Sequence, residues 1–263
     1  MKHNIKIILI LTTLFLIAQF IGLFISNIYF NKELPYDIQK PKFEENTSFA
    51  NIFIAILIAT VFAFALAKFK AEKLWKFWFF VSVLFALLIS FNAFMDQRIA
   101  LILALIVTIF KVLKPNIIVH NLAELFLYGG LSAIFSGSLT VFSASVLLIL
   151  ISIYDMIAVW KTKHMIKLAK FQAKLKLFAG LLIPYKHGKQ EKTAILGGGD
   201  IGFPLLFAAT VMKFYGLKAL VIPLCASLSL LLLFFYGEKN KFYPAMPFLS
   251  IGCFFGLILV LLL

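Results

Sequence analysis

Cysteine, arginine, histidine and acidic side chains are all scarce in this chain, and each shortage removes a class of function. Its 263 residues hold two cysteines, Cys225 and Cys253, both inside apolar runs. Neither sits in a CxxC pair or beside a histidine, so neither a zinc site nor a disulfide framework is suggested. The four histidines, His3, His120, His164 and His187, are scattered, and no HExxH occurs to hold a catalytic zinc. Ser136 and Ser138 in "FSGSLT" would need a histidine partner for serine chemistry, and a short loop between spans explains them better. Of the 25 basic residues only Arg98 is arginine, and with 11 acids they leave a net charge of +14. In a soluble protein that balance would suggest nucleic acid. Here 63% of the residues are hydrophobic, against roughly half in a soluble domain. The excess reads as a membrane protein whose lysines mark one side of the bilayer, with no nucleic-acid partner.

What the chain has in abundance is long apolar runs. A membrane helix needs about 20 mainly apolar residues. Nine segments qualify, at about 5–26, 49–67, 74–92, 99–113, 117–135, 139–160, 195–214, 217–236 and 243–263. The first resembles a signal peptide at its basic end, but its apolar core is too long and lacks a cleavage pattern, so a retained span is expected. No linker or low-complexity tract interrupts the series. The expectation is one all-α, polytopic domain over 1–263. Spans one to six would lie in about 1–160, a basic inner loop in 161–193, and spans seven to nine in 194–263.

Direction follows from lysine. With the N-terminus inside, the inner segments hold Lys2, Lys6, Lys68, Lys70, Lys73, Lys76, Lys111, Lys114, Lys239, Lys241 and the lysine-rich loop after the sixth span. The outer segments hold Lys32, Lys40, Lys42, Arg98, Lys213 and Lys218. The bias predicts N-terminus inside and C-terminus outside. Within the basic loop, Lys163, Lys167, Lys170 and Lys174 fall at helical spacing, with Ile166, Phe171, Leu175 and Phe178 elsewhere. That pattern suits either an amphipathic helix on the inner headgroups or a solvated loop that sets topology. Ala59, Ala63 and Ala67 recur at every fourth position, and Gly252 and Gly256 form a GxxxG pair, spacings that let helices pack closely.

Three acids fall inside spans: Glu124, Asp155 and Asp200. A charge at the bilayer centre costs about 2.5–3.5 kcal/mol on insertion scales, so such residues face a cavity or a partner. Asp155 lies five residues before Trp160, the end of the sixth span, and Asp200 five residues after Ile195, the start of the seventh. The two spans are antiparallel, so at about 1.5 Å per residue both carboxyls sit roughly 7–8 Å from the inner end. Two carboxyls sharing a site cannot both ionise easily, which leaves one acid and one base. Such a pair can activate water against a peptide carbonyl with no metal or cofactor. His120 and Glu124 share a helix face, as a proton path, a substrate gate or a polar pair satisfying itself.

Two further stretches fall at the same level. Gly197, Gly198 and Gly199 precede Asp200. They tolerate unusual backbone angles and close approach, so an unwound substrate could pair edge to edge there. In "KFYPAMPFLS", Pro244 and Pro247 disturb the start of the last span. Irregular backbone at that depth is tolerated where protein or a water-filled cavity surrounds it.

"IYDMIAVW", "GGGDIGFP" and "YPAMP" resemble the YD, GxGD and PAL motifs of the presenilin and signal peptide peptidase family of intramembrane aspartyl proteases. The order of the motifs, in spans six, seven and nine, extends the resemblance over the whole chain. Features near YD and PAL, with the N-in orientation, resemble the presenilin branch. The resemblance implies Asp155 and Asp200 as catalytic pair, Tyr154 and Gly197 to Gly199 as residues shaping the site, and Pro244, Ala245 and Met246 as the PAL element. Met246 departs from the family's leucine. It further implies transmembrane helical substrates, no cofactor or metal, and no required accessory subunit, with a homo-oligomer open. A compact microbial homologue of archaeal kind, multi-pass in a prokaryotic cell membrane, is the expected setting. Two alternatives stay open on the residues alone: a transporter or channel using the aspartates as an ion or proton relay, and a prepilin- or preflagellin-type peptidase, which is similar in its GxGD aspartate.

Overall fold

The computed structural model describes residues 5–41, 47–162, 168, 171–172, 175, 177–187, 190–237 and 243–263. Its helices are α1 (Ile5–Asn31), α2 (Ser48–Lys68), α3 (Glu72–Asn92), α4 (Gln97–Leu113), α5 (Ile117–Phe135), α6 (Val141–Met156), α7 (Gly198–Tyr215), α8 (Val221–Tyr236) and α9 (Met246–Leu262). Apolar runs become helices because a helix satisfies its own backbone donors and acceptors without water. Among the described residues, six stretches are long and apolar enough to cross a membrane: α1, α2, α3, Ile117–Ser138, Val141–Lys161 and Gly198–Tyr236, with α9 a shorter apolar helix. The protein is an α-helical, polytopic membrane protein.

Helix starts carry their own signals. Asp96, Asn116 and Thr140 accept from the backbone N–H of Arg98, Ile118 and Ser143 at 2.9, 2.8 and 3.1 Å, capping α4, α5 and α6. Glycine brings helices together. A Cβ on Gly130 of α5 would lie 2.1 Å from the Ala86 carbonyl oxygen of α3, and one on Gly22 of α1 would meet Leu205 of α7 at 2.2 Å. In α9, Gly252 and Gly256 face the α8 backbone at Cys225, Ala226 and Ile222, so the GxxxG pair is a helix–helix seam. The alanine stripe of α2 is not one: Ala63 is buried, but Ala59 is exposed. Spacing sets which residues share a face, not which way it turns.

Between α6 and α7 the chain departs from the all-helical expectation. Strands β1 (Gly180–His187) and β2 (Gln190–Gly197) form an antiparallel hairpin in which Gly180 lies opposite Gly197. The seventh span was expected from 195, but its helix starts at Gly198. Gly197 is extended (φ −65, ψ 150) and still paired with β1. Lys163, Lys167, Lys170 and Lys174, with the amphipathic helix expected on them, lie outside the described residues. Phe171 of the same loop packs edge to face on Trp75 of α3, with centroids 5.4 Å apart.

Helices α6, α7 and α9 pack against one another, with Phe207 of α7 edge-on to Phe254 of α9 at 5.7 Å. Since α6 ends where α7 and α9 begin, the end of α6, the hairpin and the starts of α7 and α9 meet at one end of the bundle. An open cleft of about 720 Å³ lies at the other end, lined by residues such as Glu33, Lys40, Ser138 and Lys213, away from both aspartates.

Candidate active site

Asp155 is the last but one residue of α6 and is buried. Its Oδ2 accepts a hydrogen bond from the backbone N–H of Met246 at 3.1 Å. Met246 opens α9 and is itself buried, with Pro244 buried and Ala245 half-buried before it. The YD and PAL stretches are therefore bonded to each other. The bond uses the Met246 main chain, so methionine in place of leucine leaves it intact. One turn along, the hydroxyls of Ser152 and Ser250 are 2.6 Å apart. Ser152 donates to the Leu148 carbonyl at 2.8 Å, so Ser250 is the donor between the two serines. Just past Asp155, Ile157–Lys161 form a π-helical turn, a widening found often at functional sites. Tyr154 is half-buried beside Asp155.

Asp200 is half-buried in the first turn of α7, after Gly197 as the extended cap. A Cβ on Gly197 would lie 3.1 Å from the Asp200 Oδ2, so glycine there leaves room for the carboxylate. A Cβ on Gly198 would meet the Tyr128 hydroxyl at 2.7 Å and the Ala179 carbonyl oxygen at 3.3 Å. The Gly198 N–H donates to that same carbonyl at 3.0 Å. Gly199 is exposed, and a Cβ there would make only ordinary contact, 3.4 Å from the Phe203 ring. From α1, buried Gln19 donates to the Ile201 carbonyl at 2.8 Å and tethers the same turn.

Polar residues of α4 and α5 hold the start of the hairpin, and of these the sequence alone did not single out Asn121 and Tyr128. His120 and Glu124 are satisfied inside the bundle through a shared partner, the Lys111 ammonium. Lys111, assigned to an inner loop, is instead buried in the last turn of α4 and pairs with Glu124 at 2.6 Å. Asn121 of α5 brackets Leu182, donating to its carbonyl at 2.7 Å and accepting from its N–H at 3.0 Å. The signal was present as a polar stripe, His120, Asn121, Glu124 and Tyr128, along one face of α5. What it lacked was a visible partner, because β1 was read as loop.

The pattern of bonds also defines the hairpin's edges. Gly180 and Leu182 turn their backbone groups toward α5, so their opposite numbers Gly197 and Ile195, and by alternation Thr193, turn theirs away from β1. The strand that runs into Asp200 thus turns its outer edge away from β1.

No curated protein sequence matches the chain. The fold is similar to two solved structures, each described as a presenilin family intramembrane aspartate protease, in C222 and P2 space groups. The first superposes with a TM-score of 0.68 at 22% identity, covering 97% of this chain and 99% of the other. The second gives 0.67 at 22% identity, covering 96% and 97%. A family model described as "Signal-peptide peptidase, presenilin aspartyl protease" matches residues 12–263.

Proposed function

The chain belongs to the signal peptide peptidase and presenilin family of aspartyl proteases, and from that premise we propose that Asp155 and Asp200 are its catalytic pair. Membership makes the protein an intramembrane aspartyl protease acting on transmembrane substrates, which closes the transporter and prepilin-peptidase alternatives. The observation that carries the site is the meeting of three elements at one end of the bundle. Asp155 ends α6, Asp200 begins α7, and the start of α9 donates its Met246 N–H to Asp155.

The reaction we assign is water-mediated hydrolysis. The ionised aspartate takes a proton from water as the oxygen attacks the scissile carbonyl carbon. The protonated aspartate gives its proton to the carbonyl oxygen, producing a tetrahedral gem-diol. Collapse breaks the C–N bond, and the nitrogen leaves as an amine with a proton returned from the pair. The Met246 N–H holds Oδ2 of Asp155 and so fixes the plane of that carboxyl group. Tyr154 and Gly197 to Gly199 shape the surroundings, and Pro244, Ala245 and Met246 supply the backbone that orients Asp155.

A transmembrane substrate is helical and must be unwound before cleavage. The outer edge of β2, at Thr193, Ile195 and Gly197, suits an extended substrate segment pairing edge to edge. Exposed Gly199 leaves space over the first turn of α7. We further assign nine membrane passes with the N-terminus inside and the C-terminus outside, on the lysine distribution. Buried Lys111 is removed from that argument, and the remaining loop lysines carry it. A prokaryotic cell membrane, one domain over 1–263 and activity without accessory subunits or cofactor complete the proposal.

The test is cleavage of a model transmembrane peptide by purified protein in detergent, with a peptide-like transition-state mimic of aspartyl proteases as inhibitor. Cleavage is expected to vanish in Asp155→Ala and in Asp200→Ala. Robust cleavage by either variant would overturn the assignment.

A further inference from the structure

At the hairpin end of the bundle lies a second set of ionisable side chains that the hydrolytic reaction does not use. Lys111 Nζ and Glu124 Oε1 form an ion pair at 2.6 Å with side chains 1% and 0% exposed. If this pair only joined α4 to α5, apolar side chains would serve as well, since buried ion pairs carry a desolvation cost. Its remaining valences point elsewhere. Glu124 Oε2 accepts from the Tyr128 hydroxyl and from the Gly180 backbone N–H, the latter at 3.0 Å. Lys111 Nζ donates to His120 Nδ1 at 3.1 Å, which places the ring proton on Nε2, and that N–H donates to the Gly180 carbonyl at 2.8 Å. Both backbone groups of one glycine are thus held by the cluster.

Gly180 is the first residue of β1, opposite Gly197, with φ +139, a conformation that favours glycine. A Cβ there would collide with the Leu196 carbonyl oxygen at 2.2 Å. The cluster therefore grips the hairpin where it joins α7. It also has a direct arm: the Tyr128 hydroxyl faces Gly198, and its ring lies 3.5 Å from a Cβ built on Gly202. Asp200 sits between these contacts, its Oδ2 against Gly197.

We infer that Lys111, His120, Glu124 and Tyr128 form a positioning cluster that keeps the hairpin closed in the free enzyme and sets the first turn of α7, and with it Asp200. The cluster's hydrogen bonds join its own members and reach Gly180. It acts by fixing where a carboxylate stands, and misplacement of a reacting group by an ångström is enough to slow a reaction greatly. The inference rests on the reading of Asp200 as a catalytic residue.

The test compares full-length Tyr128→Phe, Lys111→Met, the double variant Lys111→Met/Glu124→Gln and Asp200→Ala. It measures peptide cleavage kinetics and local amide hydrogen exchange in detergent without substrate. Tyr128→Phe removes one hydroxyl and keeps the ion pair, so it is the variant that preserves the fold. It is expected to lower kcat by about tenfold or more and to speed exchange at 179–183 and 196–200, with α1 and α8 unchanged. Lys111→Met leaves Glu124 buried and unpaired and should do more damage. The double variant restores neutrality and keeps an acceptor for Gly180, so it should recover part of that loss. Wild-type exchange in both segments for Tyr128→Phe and Lys111→Met would overturn the inference, whatever their activity. Faster exchange with unchanged kcat in both would overturn it equally. Asp200→Ala separates the two readings: it should lose cleavage while exchange stays as in the wild type, and cleavage surviving there would defeat the catalytic assignment itself.

Discussion

Asp155 and Asp200 reach the same end of the bundle by opposite constructions. Asp155 comes at the end of a helix that buries one face, through Ala144, Leu147, Leu148 and Ile151, and its carboxylate is bonded straight to the backbone that opens α9. Asp200 comes at the beginning of a helix, after three glycines and a hairpin. Packing places the first. The second depends on a run of polar contacts, from Gln19 on one side and the Lys111–Glu124 cluster on the other. The lesson is that two chemically equal carboxylates can differ in how far away a change can disturb them. Asp155 should be sensitive to its own contacts, and Asp200 to residues on α1, α4 and α5.

The largest expected effect ignores that difference. Asp155→Asn and Asp200→Asn should each lower kcat by about 10²–10⁴-fold, the range for loss of a positioned acid or base, measured as peptide cleavage. A large inequality between them would sharpen the comparison. Next come the glycines. Gly198→Ala drives a methyl group against Tyr128 and the Ala179 carbonyl, and a shift near an ångström should lower kcat on the order of 10²-fold. Gly199→Ala meets the Phe203 ring at ordinary contact distance and should lower kcat less than Gly198→Ala does. Equal effects would break the claim that crowding by Tyr128 sets this turn.

Gln19→Leu removes one buried bond to the Ile201 carbonyl, of about 1 kcal/mol, so kcat should fall by about fivefold with KM little changed. The smallest effect belongs to the Asp155 side. Ser250→Ala removes a cross-helix bond of about 0.6 kcal/mol, and kcat should change by no more than about threefold. If Ser250→Ala proved worse than Gln19→Leu, packing would not be what holds Asp155.

These contrasts also show what the chain discloses before it is folded. Helix positions were legible because apolar runs of membrane length have few other outcomes. The expected fifth span, 117–135, matches α5. The approach of the PAMP stretch to Asp155 was legible too, since counting along antiparallel helices is enough to bring their ends together. The hairpin was not. Its residues mix lysines with short apolar pairs, and charge count outweighed alternation, so "LLIPYKH" and "KTAILG" read as loop and span. Lys111 was misplaced for a related reason: it stands at a helix end, where a free lysine would serve topology, and its partner lies on the next helix. Met246 looked like a departure in side chain, yet its contact with Asp155 is made by the backbone.

The seam between α8 and α9 has a mechanical consequence. With glycine against backbone at Gly252 and Gly256, those helices have no clearance to slide or roll. The pair is a stiff plank, and the amide that reaches Asp155 projects from its tip. A side chain added at either glycine would force the two helices apart and carry that amide away from the carboxyl it holds.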